Sequence, residues 1–135
     1  LENKNTTVGG VYIIINKDSI LLSRQIDNSL KAQTLISDKN LWDRRFIVCN
    51  NTKNKKITIG PLGEKDYLLM IKLNKIQKPS INFNAIKTIT TIRVLEEIVS
   101  IPHLLYWKSN FWKNNIKITH VEHELLKKYE NVSIY

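Results

Sequence analysis

The segment from Leu41 to Gly63, LWDRRFIVCNNTKNKKITIGPLG, constrains the fold more than any other stretch of the chain. Trp42 to Val48 alternates and is rich in aromatic and β-branched residues, which predicts a strand, and Lys56 to Ile59 predicts a second. A polar, lysine-rich turn from Asn50 to Lys55 separates them, as in a hairpin. The residues from Gly60 to Gly63 fit a type I turn, with Pro at its second position and Gly at its fourth. The segment therefore predicts a strand-rich fold.

The regions on either side add a hairpin and one ambiguous element. The β-branched runs Val11 to Ile15 and Ile20 to Arg24 flank a polar turn and predict a hairpin. Residues Gln25 to Asn40 have no clear period, so we expect a loop that contains at most one helical turn. Asp66 can cap a helix that runs to about Lys75 and buries Leu69, Leu73 and Ile76 at helical spacing. A strand over Tyr67 to Leu73 fits nearly as well, because that run is apolar throughout.

The remaining elements complete an α+β pattern. Pro79 and Ser80 predict a helix entry, followed by an apolar stripe of Phe83, Ile86 and Ile89. Further predictions are strands at Ile98 to Ile101 and Ile116 to Thr119, and an amphipathic helix at Val121 to Tyr129. We predict an α+β fold: one small, antiparallel, strand-rich domain over residues 1–135, with two or three helices packed on it.

The charge balance indicates an anionic partner. Lys and Arg number 21 against 12 Asp and Glu, which gives a net charge of +9, and the apolar content of 42% is that of a folded chain. Such a balance favours nucleic acid ahead of a membrane surface. Lysine supplies most of the positive charge, so general solubility and a compositional bias towards Lys, Asn and Ile form the alternative.

Cysteine content and the chain start indicate a cytoplasmic protein. The single cysteine, Cys49, excludes an internal disulfide, and its strand context predicts a small buried thiol. No apolar run reaches the roughly 18 residues that span a bilayer, and the first residues do not resemble a signal peptide. Since the chain begins with Leu1, we expect a fragment of a longer protein. The pattern makes no prediction about oligomeric state.

The sequence predicts no catalytic, cofactor-binding or metal-binding residues. The four glycines, at 9, 10, 60 and 63, have neither dinucleotide-binding nor Walker spacing. His120 and His123 could share a helix face, but the zinc-protease spacing after His123 requires a histidine where Lys127 stands.

Positive charge and aromatic residues coincide in two places. In Trp42 to Val48, alternation places Arg44 between Trp42 and Phe46, so it either stacks on a ring or is released at a bulge or edge. Arg45 lies two residues from Asp43 and could pair with it. A second patch interleaves Trp107, Phe111 and Trp112 with two lysines and suits either base stacking or core packing. The residues predicted to contact nucleic acid are Lys53, Lys55, Lys56, Arg44, Arg45, Lys87, Arg93, Lys108 and Lys113.

A series of short motifs resembles one family. In order, GGVY at Gly9, LSR at Leu22, LWDRRF, ITIGPLG and EEIVSIPHL resemble the C-terminal region of bacterial tRNA(Ile)-lysidine synthetases of the shorter-tailed branch. The resemblance covers roughly Gly9 to Leu105. Two positions depart from the family pattern: Arg44 stands where Gly is usual, and Thr90 where Pro is usual.

The resemblance implies a role in tRNA modification. The complete enzyme uses ATP, and magnesium with it, to join lysine to the anticodon cytidine of tRNA(Ile). That chemistry belongs to an N-terminal domain with an SGGxDS loop, which this sequence does not contain. The implied partners are tRNA(Ile) and that catalytic domain, and this region would help to hold the tRNA. The alternative is a structural module that orients the catalytic domain without touching RNA.

Overall fold

The architecture is α+β and rich in antiparallel strands, which confirms the predicted fold class. The computed structural model describes residues 4–25, 30–35, 38–54, 56–80, 82–120 and 132–134. The strands are β1 (Lys4–Val8), β2 (Val11–Ile15), β3 (Ile20–Arg24), β4 (Gln33–Thr34), β5 (Asp38–Trp42), β6 (Phe46–Asn50), β7 (Ile57–Pro61), β8 (Thr90–Val94), β9 (Glu97–Ile101), β10 (Tyr106–Trp107), β11 (Ile116–His120) and β12 (Val132–Ile134). The helices are α1 (Glu64–Lys72), α2 (Phe83–Lys87) and α3 (Asn110–Asn115), and a 3-10 turn covers Pro102–Leu104.

These strands form three sheets. The first has the order β1-β2-β3-β12, the second β10-β9-β8-β7-β4, and the third β11-β6-β5. Neighbouring strands are antiparallel except β12, which runs parallel to β3. The predicted hairpin is confirmed as β2 and β3, which pair from Val11↔Arg24 to Ile15↔Ile20.

Two apolar clusters meet at the second sheet. One cluster joins the second sheet to the third, where Phe46 and Val48 of β6 pack with Ile57, Ile59 and Ile92. In the other cluster, α1 and α2 pack near the end of the second sheet; its members are Leu62, Tyr67, Met70, Ile76, Ile86, Ile89 and Ile101. The second sheet therefore contributes to both clusters, whereas the third sheet uses one face for the core.

The predicted single strand from Trp42 to Val48 is wrong, because a tight turn divides it. Asp43 and Arg44 both have positive φ, and the Arg45 N–H donates to the Trp42 carbonyl at 3.1 Å, so the chain reverses between β5 and β6. Trp42 and Phe46 are then cross-strand partners and lie on the same buried face. The apolar alternation marks that face correctly, but it cannot distinguish a strand from a tight hairpin.

The predicted loop from Gln25 to Asn40 is also wrong in part, since it contains β4 and the start of β5. These short polar strands carry no apolar period. The lysine-rich turn does not close a hairpin either. β6 belongs to the third sheet and β7 to the second, so the turn links two sheets.

The predicted type I turn over Gly60 to Gly63 is wrong as well. Gly60 and Pro61 end β7, where they pair with Thr91 and Thr90. A Cβ on Gly60 would lie 3.0 Å from the Cβ of Ala32, so close chain approach explains the glycine. Gly63 has φ +76 and is the N-cap of α1, a conformation that favours glycine.

Residues after Asp66 form a helix, but its buried face differs from the prediction. Asp66 lies in the first turn and Gly63 caps the helix. The helix buries Tyr67 and Met70, while Leu69 and Leu73 are exposed; Ile76, which follows the helix, is buried as predicted. It ends at Lys72 because Asn74 takes a left-handed conformation, and the N–H groups of Asn74 and Lys75 return to the carbonyls of Ile71 and Met70.

The C-terminal half contains three strands that the pattern did not predict: β8, β10 and β12. β8 follows α2 directly, and its residues Thr90 to Val94 continue an apolar stripe that also fits a helix. The strands predicted near Ile98 and Ile116 are confirmed as β9 and β11. The helix predicted for Val121 to Tyr129 lies outside the described residues.

Candidate nucleic-acid interface

The lysine-rich turn between β6 and β7, residues 51–56, is held in shape by a chain of side-chain hydrogen bonds. The buried Asn50 Oδ1 accepts from the Thr52 N–H at 3.0 Å and from its hydroxyl at 2.7 Å. The Asn54 N–H then donates to Thr52 Oγ1, and the Lys56 N–H donates to Asn54 Oδ1 at 2.8 Å. Such local bonds fix turns without a regular ladder. This lysine loop therefore presents Lys53 and Lys56 to solvent in a defined frame.

Helix α3 lies beside the lysine loop. The Asn51 N–H donates to the Asn115 carbonyl at 2.8 Å, which joins the start of the loop to the end of α3. Lys113, two residues before Asn115, is exposed. The structure thus brings Lys113 to the same region as Lys53 and Lys56, whereas Lys55 lies outside the described residues.

The third sheet has a solvent-facing side that carries two further lysines. Lys39 on β5 and Lys117 on β11 both pair with Cys49 of the central strand β6, so they flank it on one face. The next row on that face is formed by Leu41, Ile47 and Thr119. We call these six residues the outer sheet face: Lys39, Leu41, Ile47, Cys49, Lys117 and Thr119.

The sequence did not single out Lys39 and Lys117. Alternation in the predicted strand from Ile116 to Thr119 places Lys117 on the other face of the strand from the apolar Ile116 and Ile118. The sequence therefore did indicate that Lys117 faces solvent. Lys39 lies in a region that was predicted to be a loop. Cys49, predicted to be buried, is a free, half-buried thiol on the outer sheet face.

Arg44 and Arg45 lie at the other end of β6. The five residues of β6 at about 3.3 Å each separate their turn from the lysine loop by roughly 17 Å. Arg44 is exposed, with φ +56. Of the two alternatives for Arg44, an irregular backbone position that frees its side chain therefore fits, and stacking on a ring does not. The two arginines and the lysine loop therefore do not form one patch.

Arg45 is engaged inside the molecule. Its Nε donates to Asp43 Oδ2 at 2.7 Å, which confirms the proposed pairing of these two residues. Its guanidinium lies over the ring of Phe46 at 4.9 Å and near that of Trp42 at 5.7 Å. Burial lowers the pKa of Arg45, and the neighbouring charge of Arg24 lowers it further, while Asp43 raises it. Arg45, rather than Arg44, stacks on the aromatic pair.

Asp43 also connects the third sheet to the first. Arg24 of β3 donates through Nε to both carboxylate oxygens of Asp43 at 3.1 Å. Its Nη1 donates to the carbonyls of Gly10 and Gln25. Arg24 therefore brings together three of the short motifs, which contain Gly10, Arg24 and Asp43. We call the ion-paired residues Arg24, Asp43 and Arg45 the arginine cluster.

Arg93, Lys87 and Lys108 also have internal partners. Arg93 donates to Asp66 Oδ2 at 2.7 Å and to the carbonyls of Pro61 and Leu62, and so fixes the start of α1 to the second sheet. Lys87 lies 4.7 Å from the centre of the Phe83 ring. Lys108 pairs with Glu97 at 2.5 Å, but both side chains are largely exposed, so the pair contributes little to stability.

The second aromatic patch divides between core and surface. Trp107 and Trp112 pack against the first apolar cluster. Phe111 is 55% exposed and meets Trp112 edge to face at 5.0 Å. One ring of this patch is therefore available to a partner, and two have a structural role.

Within the described part of the chain, no three His, Cys, Asp or Glu side chains gather closely enough to hold a metal ion. His123 lies outside the described residues, so the predicted absence of a metal site there stays a prediction. None of the helices in the described ranges is long and apolar enough to cross a bilayer.

Comparison with known proteins identifies one kind of relative. The chain is 30% identical over 116 residues to the tRNA(Ile)-lysidine synthase of Rickettsia typhi, which covers 82% of this chain and 27% of that protein. For Rickettsia prowazekii the identity is 31% over 116 residues, with the same coverage, and for Rickettsia africae it is 27% over 123 residues, 87% of this chain and 26% of that protein. No protein-family model matches the chain, and no solved structure matches it significantly. The chain is thus similar to about a quarter of the length of these relatives, which confirms the resemblance found in the motifs.

Proposed function

We propose that this chain is a non-catalytic, C-terminal part of a cytoplasmic tRNA(Ile)-lysidine synthase, and that it binds and positions tRNA(Ile) for lysine ligation elsewhere in the protein. The similarity to the rickettsial synthases supports the type of reaction and the RNA. The described residues offer a cationic surface, which supports a binding role.

The lysine loop is the observation that carries this proposal. Lys53 and Lys56 are exposed, and neither forms an ion pair with a carboxylate in the described part of the chain. Lysine ammonium groups on flexible stems are suited to phosphate oxygens, which fix register but carry no base sequence. The rigid frame around Asn50 keeps the loop in place, so less order has to be created on binding.

The ATP that the relatives' reaction would require has no fitting site among these residues. Gly9 and Gly10 form a hairpin turn, Gly60 lies in β7, and Gly63 caps α1, so none belongs to a phosphate-binding loop. We therefore assign no chemical step to this chain. Its residues would set the affinity and orientation of the tRNA.

Substitution of the lysine loop tests the proposal. The triple variant Lys53→Ala, Lys55→Ala, Lys56→Ala should bind a tRNA(Ile) transcript at least tenfold more weakly near 0.1 M salt. The slope of log affinity against log salt should fall by about 0.7 to 0.9 for each phosphate that the variant no longer binds. Filter binding over a salt series gives both quantities, and a urea midpoint equal to that of the parent protein shows that folding is intact.

A matched control removes three lysines from another surface. Lys65→Ala, Lys72→Ala and Lys75→Ala on and after α1 change the net charge equally and should alter affinity by less than twofold. Unchanged affinity in the loop variant, or equal losses in both variants, would contradict a tRNA contact at the lysine loop.

A docking role is a second candidate, and one observation favours it. Leu68, Leu69 and Leu73 on and just after α1 are 55%, 46% and 53% exposed, which is unusual for three leucines on one short segment. The Arg93 network holds this helix rigidly against the second sheet. In the complete synthase, the double variant Leu69→Gln, Leu73→Gln should then reduce lysine incorporation into tRNA, while the affinity for tRNA stays unchanged. Normal incorporation in this variant would remove the docking role.

A further inference from the structure

The outer sheet face is a cationic surface whose two lysines are far apart in the sequence and are brought together by strand pairing. Lys39 and Lys117 lie on the two edge strands of the third sheet, one on each side of Cys49. Adjacent strands are about 4.8 Å apart, so the backbones that carry these lysines are roughly 10 Å apart. Both side chains are exposed.

No acidic side chain of the described residues neutralises the two charges on this face. Its six residues include no acidic side chain, and neither lysine has an ion-pair partner within the described residues. Two unit charges in water, at the roughly 10 Å that separates these backbones, would repel each other by only about 0.4 kcal/mol, so the sheet tolerates both lysines in the absence of a partner. An anion seated between them would be attracted by both.

The remaining residues of the face determine which part of an RNA it fits. Leu41, Ile47 and Thr119 present aliphatic groups and a hydroxyl, whereas the aromatic residues of this hairpin, Trp42 and Phe46, are buried on the opposite side of the sheet. Bases stack on exposed aromatic rings, which this face does not have. Phosphate and sugar are therefore the groups it can contact.

The face is also continuous with the lysine loop. Cys49 is followed by Asn50, whose side chain anchors the loop, and β11 begins where α3 ends beside it. Lys53, Lys113 and Lys117 therefore come from neighbouring points on three elements. A surface that extends from the loop across the sheet can follow several phosphates along one strand.

The geometry points to a new contact site: the outer sheet face binds an RNA backbone, with Lys39 and Lys117 on phosphates on either side of Cys49. This inference rests on the proposed function and names two contact residues and the sequence-independent chemistry by which they act. The expected partner group is the phosphodiester backbone, not an unpaired base.

The test pairs a binding measurement with chemical protection of Cys49. The variant Lys39→Gln, Lys117→Gln keeps most of the side-chain length and removes two charges. It should bind a tRNA(Ile) transcript about tenfold more weakly at low salt, and its salt slope should fall by about 1.4 to 1.8. Because backbone contacts carry no base sequence, an unrelated tRNA transcript should lose affinity by the same factor.

Alkylation of Cys49 by iodoacetamide, followed by mass spectrometry of the peptide that contains it, locates the RNA on this face. Bound transcript should slow the alkylation severalfold in the parent protein and much less in the double variant. The control variant Lys65→Gln, Lys72→Gln changes the net charge equally on α1 and should leave both affinity and protection within twofold of the parent.

Three outcomes would overturn the inference. If affinity is unchanged in the Lys39 and Lys117 variant and bound transcript does not slow alkylation of Cys49 in the parent protein, while the lysine-loop variant binds more weakly, the outer face is not a contact and the proposed function stands. If neither variant binds more weakly, the proposed function fails together with this inference. If the α1 control loses as much affinity as the sheet variant, overall charge and not this surface determines binding.

Discussion

The two ends of the hairpin formed by β5 and β6 use positive charge in opposite ways. At the turn end, Arg24 and Arg45 share the carboxylate of Asp43, and all three side chains are less than a fifth exposed. At the other end, Lys53 and Lys56 extend into solvent from the lysine loop. The first group ties two sheets together, and the second is available to a partner.

This difference shows that the number of basic residues in a segment does not indicate how many can bind an anion. Arginine presents a planar fork that can satisfy several acceptors while it stacks on a ring, as Arg45 does on Phe46. Lysine is a strongly hydrated point charge that is costly to bury. In this segment Arg45 has a structural role, whereas Lys53 and Lys56 remain at the surface together with the exposed Arg44.

The largest expected effect tests the structural end. Asp43→Asn removes the charge that Arg24 and Arg45 share in a poorly solvated site, so it should lower the free energy of unfolding by about 3 kcal/mol. Urea denaturation measures this decrease. Affinity for a tRNA transcript, measured where the variant is folded, should change by less than twofold.

Glu97→Gln provides the control for Asp43→Asn. It removes a carboxylate from the exposed pair with Lys108 and should cost about 0.5 kcal/mol or less. If Asp43→Asn is as mild as this control, the arginine cluster does not hold the sheets together and the comparison of the two ends fails.

Arg93→Met should have the next largest effect. Methionine retains an apolar stem but cannot form the ion pair to Asp66 or donate to the two carbonyls, so the free energy of unfolding should fall by about 2 kcal/mol. Lys87→Met is the matched variant, because it removes a cation that only covers a ring. Normal stability with weaker tRNA binding in Arg93→Met would make Arg93 an RNA contact after all.

The sequence predicted some local features correctly, and long-range ones poorly. The hairpin of β2 and β3 is visible as two β-branched runs around a polar turn, and the pairing of Asp43 with Arg45 follows from their spacing. The contribution of Arg24 could not be predicted, because β3 and the Asp43 turn meet only through tertiary packing.

The candidate surface shows the same limit. The lysine loop is a run in the sequence, so its charge is evident without a structure. Lys39 and Lys117 become neighbours of Cys49 only through the register of three strands, which no local pattern specifies. The turn at Asp43 was missed because Trp42 and Phe46 face the same side in either a strand or a hairpin.

Asn50→Ala should lower stability by a smaller amount, and it should also weaken tRNA binding by the lysine loop. The Asn50 side chain accepts both hydrogen bonds that start the lysine loop, so its removal should cost about 1.5 kcal/mol in unfolding free energy. Affinity for a tRNA transcript should fall a few-fold, because Lys53 is no longer held in a fixed frame. In a protein that already carries Lys53→Ala, the same substitution should change affinity much less; equal decreases in both backgrounds would mean that the frame does not act through Lys53.

Arg44→Gly is expected to have the smallest effect, and it is a substitution that should increase stability. Arg44 has φ +56, a conformation that costs a non-glycine residue about 1 kcal/mol, and its side chain is exposed. Glycine should therefore raise the unfolding free energy by up to about 1 kcal/mol, less the extra chain entropy of the unfolded state. Arg44→Lys keeps both the strain and the charge and should leave stability unchanged.

Arg44→Gly also tests whether the turn between β5 and β6 contacts RNA, and Leu95→Gly is its matched variant. Leu95→Gly relieves a similar left-handed residue, at φ +49, in the turn between β8 and β9, so it should stabilise the protein without any change of charge. If Arg44→Gly stabilises as Leu95→Gly does and leaves tRNA affinity unchanged, the turn end contributes no RNA contact. If Arg44→Gly weakens binding with a lower salt slope, Arg44 is an exposed cation that contacts RNA about 17 Å from the lysine loop. The comparison would then contrast two buried arginines with a third that, like the lysines, remains available.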